Sequence, residues 1–159
     1  MRLFIKIVVG FVILVLLYLG FVGIYFKYFY YKKDIDGITI CTCIQDFMHT
    51  QEKEYRDNYY HLIEQSLKKD KKSLKELSLY DLRGATGESA YDHGDVLAQL
   101  LDRLGEEFFL ESLDGLSEEE KGMVLGYLDV GFEYGVLNSK GKVLMTKDLY
   151  PRLYHFLDE

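Results

Sequence analysis

No aspartate or glutamate occurs before Asp34, although the 159-residue chain holds 26 of them. The first 33 residues carry five basic side chains (Arg2, Lys6, Lys27, Lys32 and Lys33) and are net +5. The 126 residues that follow set 14 Lys and Arg against all 26 acids, net −12. So acidic a segment lacks the basic face that phosphate contacts need, which argues against nucleic-acid binding. Tryptophan is absent, and proline occurs once, at Pro151. With 48% hydrophobic residues, the chain is neither disordered nor collagen-like. Cysteine occurs only at Cys41 and Cys43, too few for a disulfide-dense secreted scaffold.

What the amino-terminal segment does have is one long apolar run. Residues 7–26, IVVGFVILVLLYLGFVGIYF, contain no charge, and fifteen of them are Ile, Val, Leu or Phe. Twenty helical residues span roughly 30 Å, the thickness of a bilayer hydrocarbon core. The run is longer than the apolar stretch of a cleaved signal peptide and no small-x-small site follows it, so a retained anchor is expected. Tyr25, Lys27, Tyr28, Tyr30, Tyr31, Lys32 and Lys33 form an aromatic and lysine belt suited to the headgroup level. Basic residues flank the run on both sides in near parity. The signal-peptide-like start favours the amino terminus inside and the rest of the chain extracytoplasmic. The expected organisation is therefore a single-pass transmembrane anchor over 1–33 and an acidic domain over 34–159.

That domain reads as all-α, a compact bundle of about five helices. Asp36-Gly37 is a break. Apolar positions from Ile40 to Leu67 keep helical spacing, giving one long amphipathic helix or two in series, up to the charged run 68–72. A short helix is expected around 73–80, a loop over 83–89, and a helix carrying Val96, Leu97, Leu100, Leu101 and Leu104 that Gly105 stops. Ser117 and Glu120 have capping-box spacing. The helix they open is apolar nearly all round, which predicts the central buried helix, with Gly122 and Gly126 admitting a close neighbour and Gly135 as C-cap. Residues 136–144 suggest a small β-hairpin, with a plain loop as the alternative. Thr146, Asp148 and Pro151 begin a final amphipathic helix.

Chemistry concentrates in Tyr91-Asp92-His93-Gly94-Asp95. An Asp and a His close together can do acid–base work or hold a metal. The same residues also suit a helix start, with Asp92 as N-cap and Asp95 as its N3 partner, and that capping role is the favoured reading. His49 and His61 would lie about 18 Å apart along one helix, too far to share a metal. Cys41-x-Cys43 fits neither a redox C-x-x-C nor a zinc site; buried free thiols are expected, with a strained local disulfide as the alternative in an extracytoplasmic domain. No metal or cofactor is expected. Tyr55, Tyr59, Tyr60 and Tyr91 are candidate anchors for a protein partner.

These features point to a membrane-anchored, non-catalytic protein-binding domain. A bacterial immunity or inhibitor protein that occludes a basic partner at the inner membrane is the concrete form of that expectation. The alternatives are a structural subunit or assembly factor of a membrane complex, and an enzyme using Asp92, His93 and Asp95.

Overall fold

The computed structural model describes residues 10, 12–22, 33–82, 84–85, 87–138 and 144–159. The chain divides into two compact units, Met1–Tyr31 and Lys32–Glu159. In the first, residues 12–22 are helical (α1). Most of the expected membrane belt (Tyr25, Lys27, Tyr28, Tyr30, Tyr31 and Lys32) lies outside the described residues. So do parts of the apolar run 7–26. Among the described residues no helix is long and apolar enough to cross a membrane.

The second unit is mostly helical and opens with a two-stranded antiparallel hairpin, β1 (Lys33–Ile35) and β2 (Ile38–Ile40), in the register Lys33↔Ile40 and Ile35↔Ile38. Asp36 and Gly37 turn it with φ of 49° and 86°, the pair of positive values that a tight two-residue hairpin requires. The Asp34 carboxylate accepts the Gly37 N–H at 2.9 Å. Lys33 thus belongs to a strand, its ammonium 3.3 Å from the centroid of the Tyr60 ring. The hairpin expected near 136–144 is not found where that segment is described. Val136–Asn138 form a single 3-10 turn, and 139–143 lie outside the described residues.

Eight α-helices follow the hairpin among the described residues, more than the five or so expected: the stripe up to Leu67 takes the two-in-series form, the last helix is divided, and a separate short helix forms over 106–112. The long stripe from Ile40 to Leu67 breaks at Gln51 and Glu52 into α2 (Thr42–Thr50) and α3 (Lys53–Leu67). The Thr50 hydroxyl turns back onto the Phe47 carbonyl at 2.7 Å, and Gln51 is extended. The last helix is likewise divided into α8 (Thr146–Leu149) and α9 (Pro151–Asp158), with Pro151 at the first helical position, where its missing N–H costs nothing. Between them come α4 (Lys71–Ser78), α5 (Gly87–Leu104), α6 (Glu106–Ser112) and α7 (Glu118–Tyr134). Asp70 caps α4 by accepting the Ser73 N–H at 3.1 Å. The Ser117–Glu120 capping box on α7 forms with both reciprocal bonds, at 2.8 and 3.3 Å.

The core is organised around α5, not α7. Ten residues of α5 are buried, from Ser89 through Leu101, and the helix packs against α7, α2, β2, α6 and α3. In α7 only Val124, Leu128, Gly131 and Phe132 are buried, while Met123 and Tyr134 are exposed. The close approach expected at Gly122 and Gly126 occurs elsewhere. A Cβ on either would meet nothing within 4 Å. A Cβ on Gly131 would instead sit 2.1 Å from the Gly94 carbonyl oxygen, and one on Gly94 2.1 Å from that of Tyr127. Two glycines therefore let the α5 and α7 backbones touch, and any side chain there would push the helices apart.

Candidate functional site

Beginning α5 at Gly87 moves the reactive cluster from a helix end to its interior. Asp92 and Asp95 are therefore not the N-cap and N3 of their own helix. Together with Glu88 they lie at i, i+4 and i+7, one face of α5. That face, the start of α2 and the Gly135-Val136 segment after α7 border a cleft of about 330 Å³ that Cys41, Cys43, Glu88, Asp92 and Asp95 help to line. Tyr91 and Tyr134 stand at its rim, their rings stacked 5.8 Å apart.

Each carboxylate in the cleft serves a neighbouring segment. Asp92 accepts the Ile44 N–H at 3.1 Å, so it does cap a helix, but that helix is α2. Negative charge at the first turn of α2 is also favoured by the macrodipole. Asp95 is 2% exposed and accepts the Val136 N–H at 2.8 Å, the Gln99 amide at 3.2 Å and the Cys41 thiol at 3.6 Å. The oxygen nearest Val136 would lie 2.1 Å from a Cβ at residue 135. Gly135 does end α7, yet its φ is −79°, so it is required for the approach of Asp95 and not for a left-handed turn. Gln99 completes the arrangement by docking on the outer edge of β2, accepting the Thr39 N–H at 2.8 Å and donating to the Thr39 carbonyl at 2.9 Å.

Neither thiol is in a disulfide, and both are half-buried. Cys43 donates to Glu88 at 3.6 Å, and burial, followed by the charge of Asp92, pushes its pKa up. A thiol held protonated is a poor nucleophile and a poor metal ligand. Among the described residues no group of three or more His, Cys, Asp or Glu side chains has a geometry that would hold a metal ion.

His93 faces away from the cleft. It is fully buried, its Nδ1 lies 2.9 Å from the Tyr59 hydroxyl, and its ring meets Tyr127 edge-on at 4.8 Å. Nε2 has no hydrogen-bond partner among the described residues. Burial drives its pKa down to about 3, leaving a neutral ring at physiological pH. The helix thus sorts the cluster onto two faces, carboxylates toward the cleft and imidazole toward the core.

The four tyrosines considered as partner anchors also separate. Tyr59 is wholly buried and is a core residue, not a surface anchor. Tyr55 is half-buried, its hydroxyl donating to the Asp81 carbonyl, and Tyr60 lies beneath the Lys33 ammonium. Tyr91 is exposed and stacked on Tyr134. The i, i+4, i+7 spacing of Glu88, Asp92 and Asp95 is visible in the sequence. Their meeting with Cys41 and Cys43, and the roles of Gln99 and Gly135, depend on contacts across 40 residues or more. Compared with known proteins, the chain matches no family model, no curated protein and no solved structure.

Proposed function

We propose that the chain is a membrane-tethered, non-catalytic protein-binding domain, anchored by one transmembrane helix through residues 7–26. Its acidic helical unit lies on the extracytoplasmic side of a bacterial inner membrane and occludes a basic surface of a protein partner, as an immunity or inhibitor protein does. The observation that carries the tether is the exposure of α1. Large apolar side chains at residues 12–19 and at Phe21 are 40–68% exposed, around the full circumference of a helix. Such a surface is favourable only when lipid or protein covers it. The separation of His93 from Asp92 and Asp95 supports the non-catalytic part, since groups acting as acid and base on one substrate must line the same site. Net −12 over the acidic segment supports the charge of the partner, because it attracts a basic surface and repels anionic lipid. Tethering raises the effective concentration of the domain beside a membrane-bound target.

The test is crosslinking in native membranes followed by purification of the full chain. The expected result is an integral membrane protein, resistant to alkaline extraction, recovered with one specific partner. Extraction at alkaline pH would refute the tether, and absence of a specific adduct would refute the binding role. Replacing 7–26 with an unrelated span should leave the partner bound. Loss of the partner on that replacement would instead favour a subunit whose transmembrane helix makes the contacts.

A further inference from the structure

On another surface of the acidic unit, two depressions of about 430 and 500 Å³ adjoin, sharing Tyr80 and Asp81. The first is lined by Glu52, Glu54 and Tyr55, the second by Leu82, Met123 and Tyr127 among others. The polarity is graded, with exposed carboxylates at one end and an apolar, aromatic trough at the other. No Lys or Arg is among the described residues that line either part.

The aromatic part is preorganised. Tyr80 donates its hydroxyl to the Tyr55 carbonyl at 2.6 Å, the two rings meet edge-on at 4.9 Å, and Tyr55 in turn donates to Asp81. Rings already fixed lose little freedom on binding. Burial raises the Tyr55 pKa to about 12 and also raises that of Tyr127, so both rings stay neutral. Along the adjoining stretch of α7, Met123 is 38% exposed between Gly122 and Gly126, above which there is open space. A partner's side chains can approach the helix backbone there without obstruction.

Resting on the proposed binding role, we infer that this groove is where the partner docks. The occupant is a protein segment carrying an apolar side chain next to a Lys or Arg. The apolar group enters the trough over Leu82, Met123 and Tyr127, and the cation meets Glu52 and Glu54. Charge complementarity selects the occupant: a second copy would bring a second −12 surface against the first, and an anionic lipid surface would be repelled likewise.

The experiment places a benzophenone side chain at Met123, and separately at Tyr134 beside the thiol cleft, in the full chain in native membranes. Irradiation at 123 is expected to give one protein adduct whose mapped peptide contains Lys or Arg beside apolar residues. The Glu52→Lys/Glu54→Lys double variant, with fold checked by circular dichroism and thermal melting, should lower the yield about tenfold. Adducts at 123 with lipid, with a second copy of the chain, or with a peptide lacking basic residues would overturn the groove. So would a yield that the charge reversal leaves unchanged. If the double variant melts early, Glu54→Gln alone should reduce the yield by about threefold, and an unchanged yield refutes the inference. Adducts at 134 but not at 123 would overturn the groove and leave tethered recognition standing; none at either position would remove both.

Discussion

Replacing His93 with Asn should flatten the acid side of the stability curve. The ring is fully buried and its pKa is about 3, against 6.5 for a free histidine. Between those values the unfolded chain binds a proton that the folded chain refuses, so stability rises with pH across the window. The contribution is fully present above about pH 6.5 and is lost as pH falls toward 3. It integrates to roughly 4–5 kcal/mol, of which about 2 kcal/mol disappears between pH 7 and pH 5. An asparagine side chain keeps a polar atom near the Nδ1 position to meet the Tyr59 hydroxyl, which otherwise becomes a buried orphan.

The His93→Asn variant has no titrating ring, so it should lose about 2 kcal/mol less than the parent between pH 7 and pH 5. For an m-value of about 1.5 kcal/mol/M this is a difference of roughly 1.3 M in the shift of the urea midpoint. Urea unfolding of both proteins at the two pH values, full chain in detergent, measures it. The absolute stability of the variant is not the readout, because removing the ring also leaves a cavity. A pH-dependent loss equal in parent and variant within about 0.5 kcal/mol would refute the claim that burial keeps His93 neutral.

Gly131→Ala should destabilise the fold by about 2–3 kcal/mol, since its Cβ would overlap the Gly94 carbonyl; Gly122→Ala, where a Cβ meets nothing, should be neutral or slightly stabilising. Thermal melting of the pair decides whether the helix contact is as tight as described. Asp95→Ala orphans the Val136 N–H and should cost about 2–4 kcal/mol with faster amide exchange at Val136; exchange unchanged there would contradict the tie. Gln99→Leu leaves the Thr39 N–H and carbonyl without the amide that covers them and should cost about 2 kcal/mol, read from urea midpoints. Because burial and Asp92 raise the Cys43 pKa, its alkylation at pH 7.5 should be slower than that of a free thiol and should accelerate as pH rises; faster labelling than the free thiol would contradict a thiol held protonated.

How much of this was legible before folding differs from element to element. The capping box at Ser117 and Glu120 was readable because both partners lie within one turn. So was the hairpin turn in principle, since Asp-Gly between Ile35 and Ile38 is a strong two-residue signal. Counting Ile40 into the helical stripe hid it, because a three-residue strand is too short to display its own period. The rank of α5 and α7 inverted for a different reason. An apolar count favours α7, whose Met123 and Tyr134 are exposed. Burial in α5 includes Ser89, His93, Asp95 and Gln99, each with a hydrogen bond that offsets its loss of water.

Those polar positions bear directly on the reading of function. A sequence shows Asp92, His93 and Asp95 as neighbours, and proximity in sequence suggests cooperation. On a helix, however, adjacent residues diverge by about 100°, so consecutive reactive groups face different surroundings. Asp92 reaches the start of α2, Asp95 the chain after α7, and His93 the hydroxyl of Tyr59. The backbone N–H groups they or their neighbours meet belong to short segments that have too few internal bonds of their own, namely a three-residue strand, a helix start and a 3-10 turn. Leaving such donors buried without acceptors would cost about 1–3 kcal/mol each. The stability demand on these carboxylates is thus sufficient to account for their presence without catalysis. In the proposed binding role, recognition is then carried by groups that the fold does not consume. Glu52, Glu54 and the exposed edge of Met123 satisfy that condition.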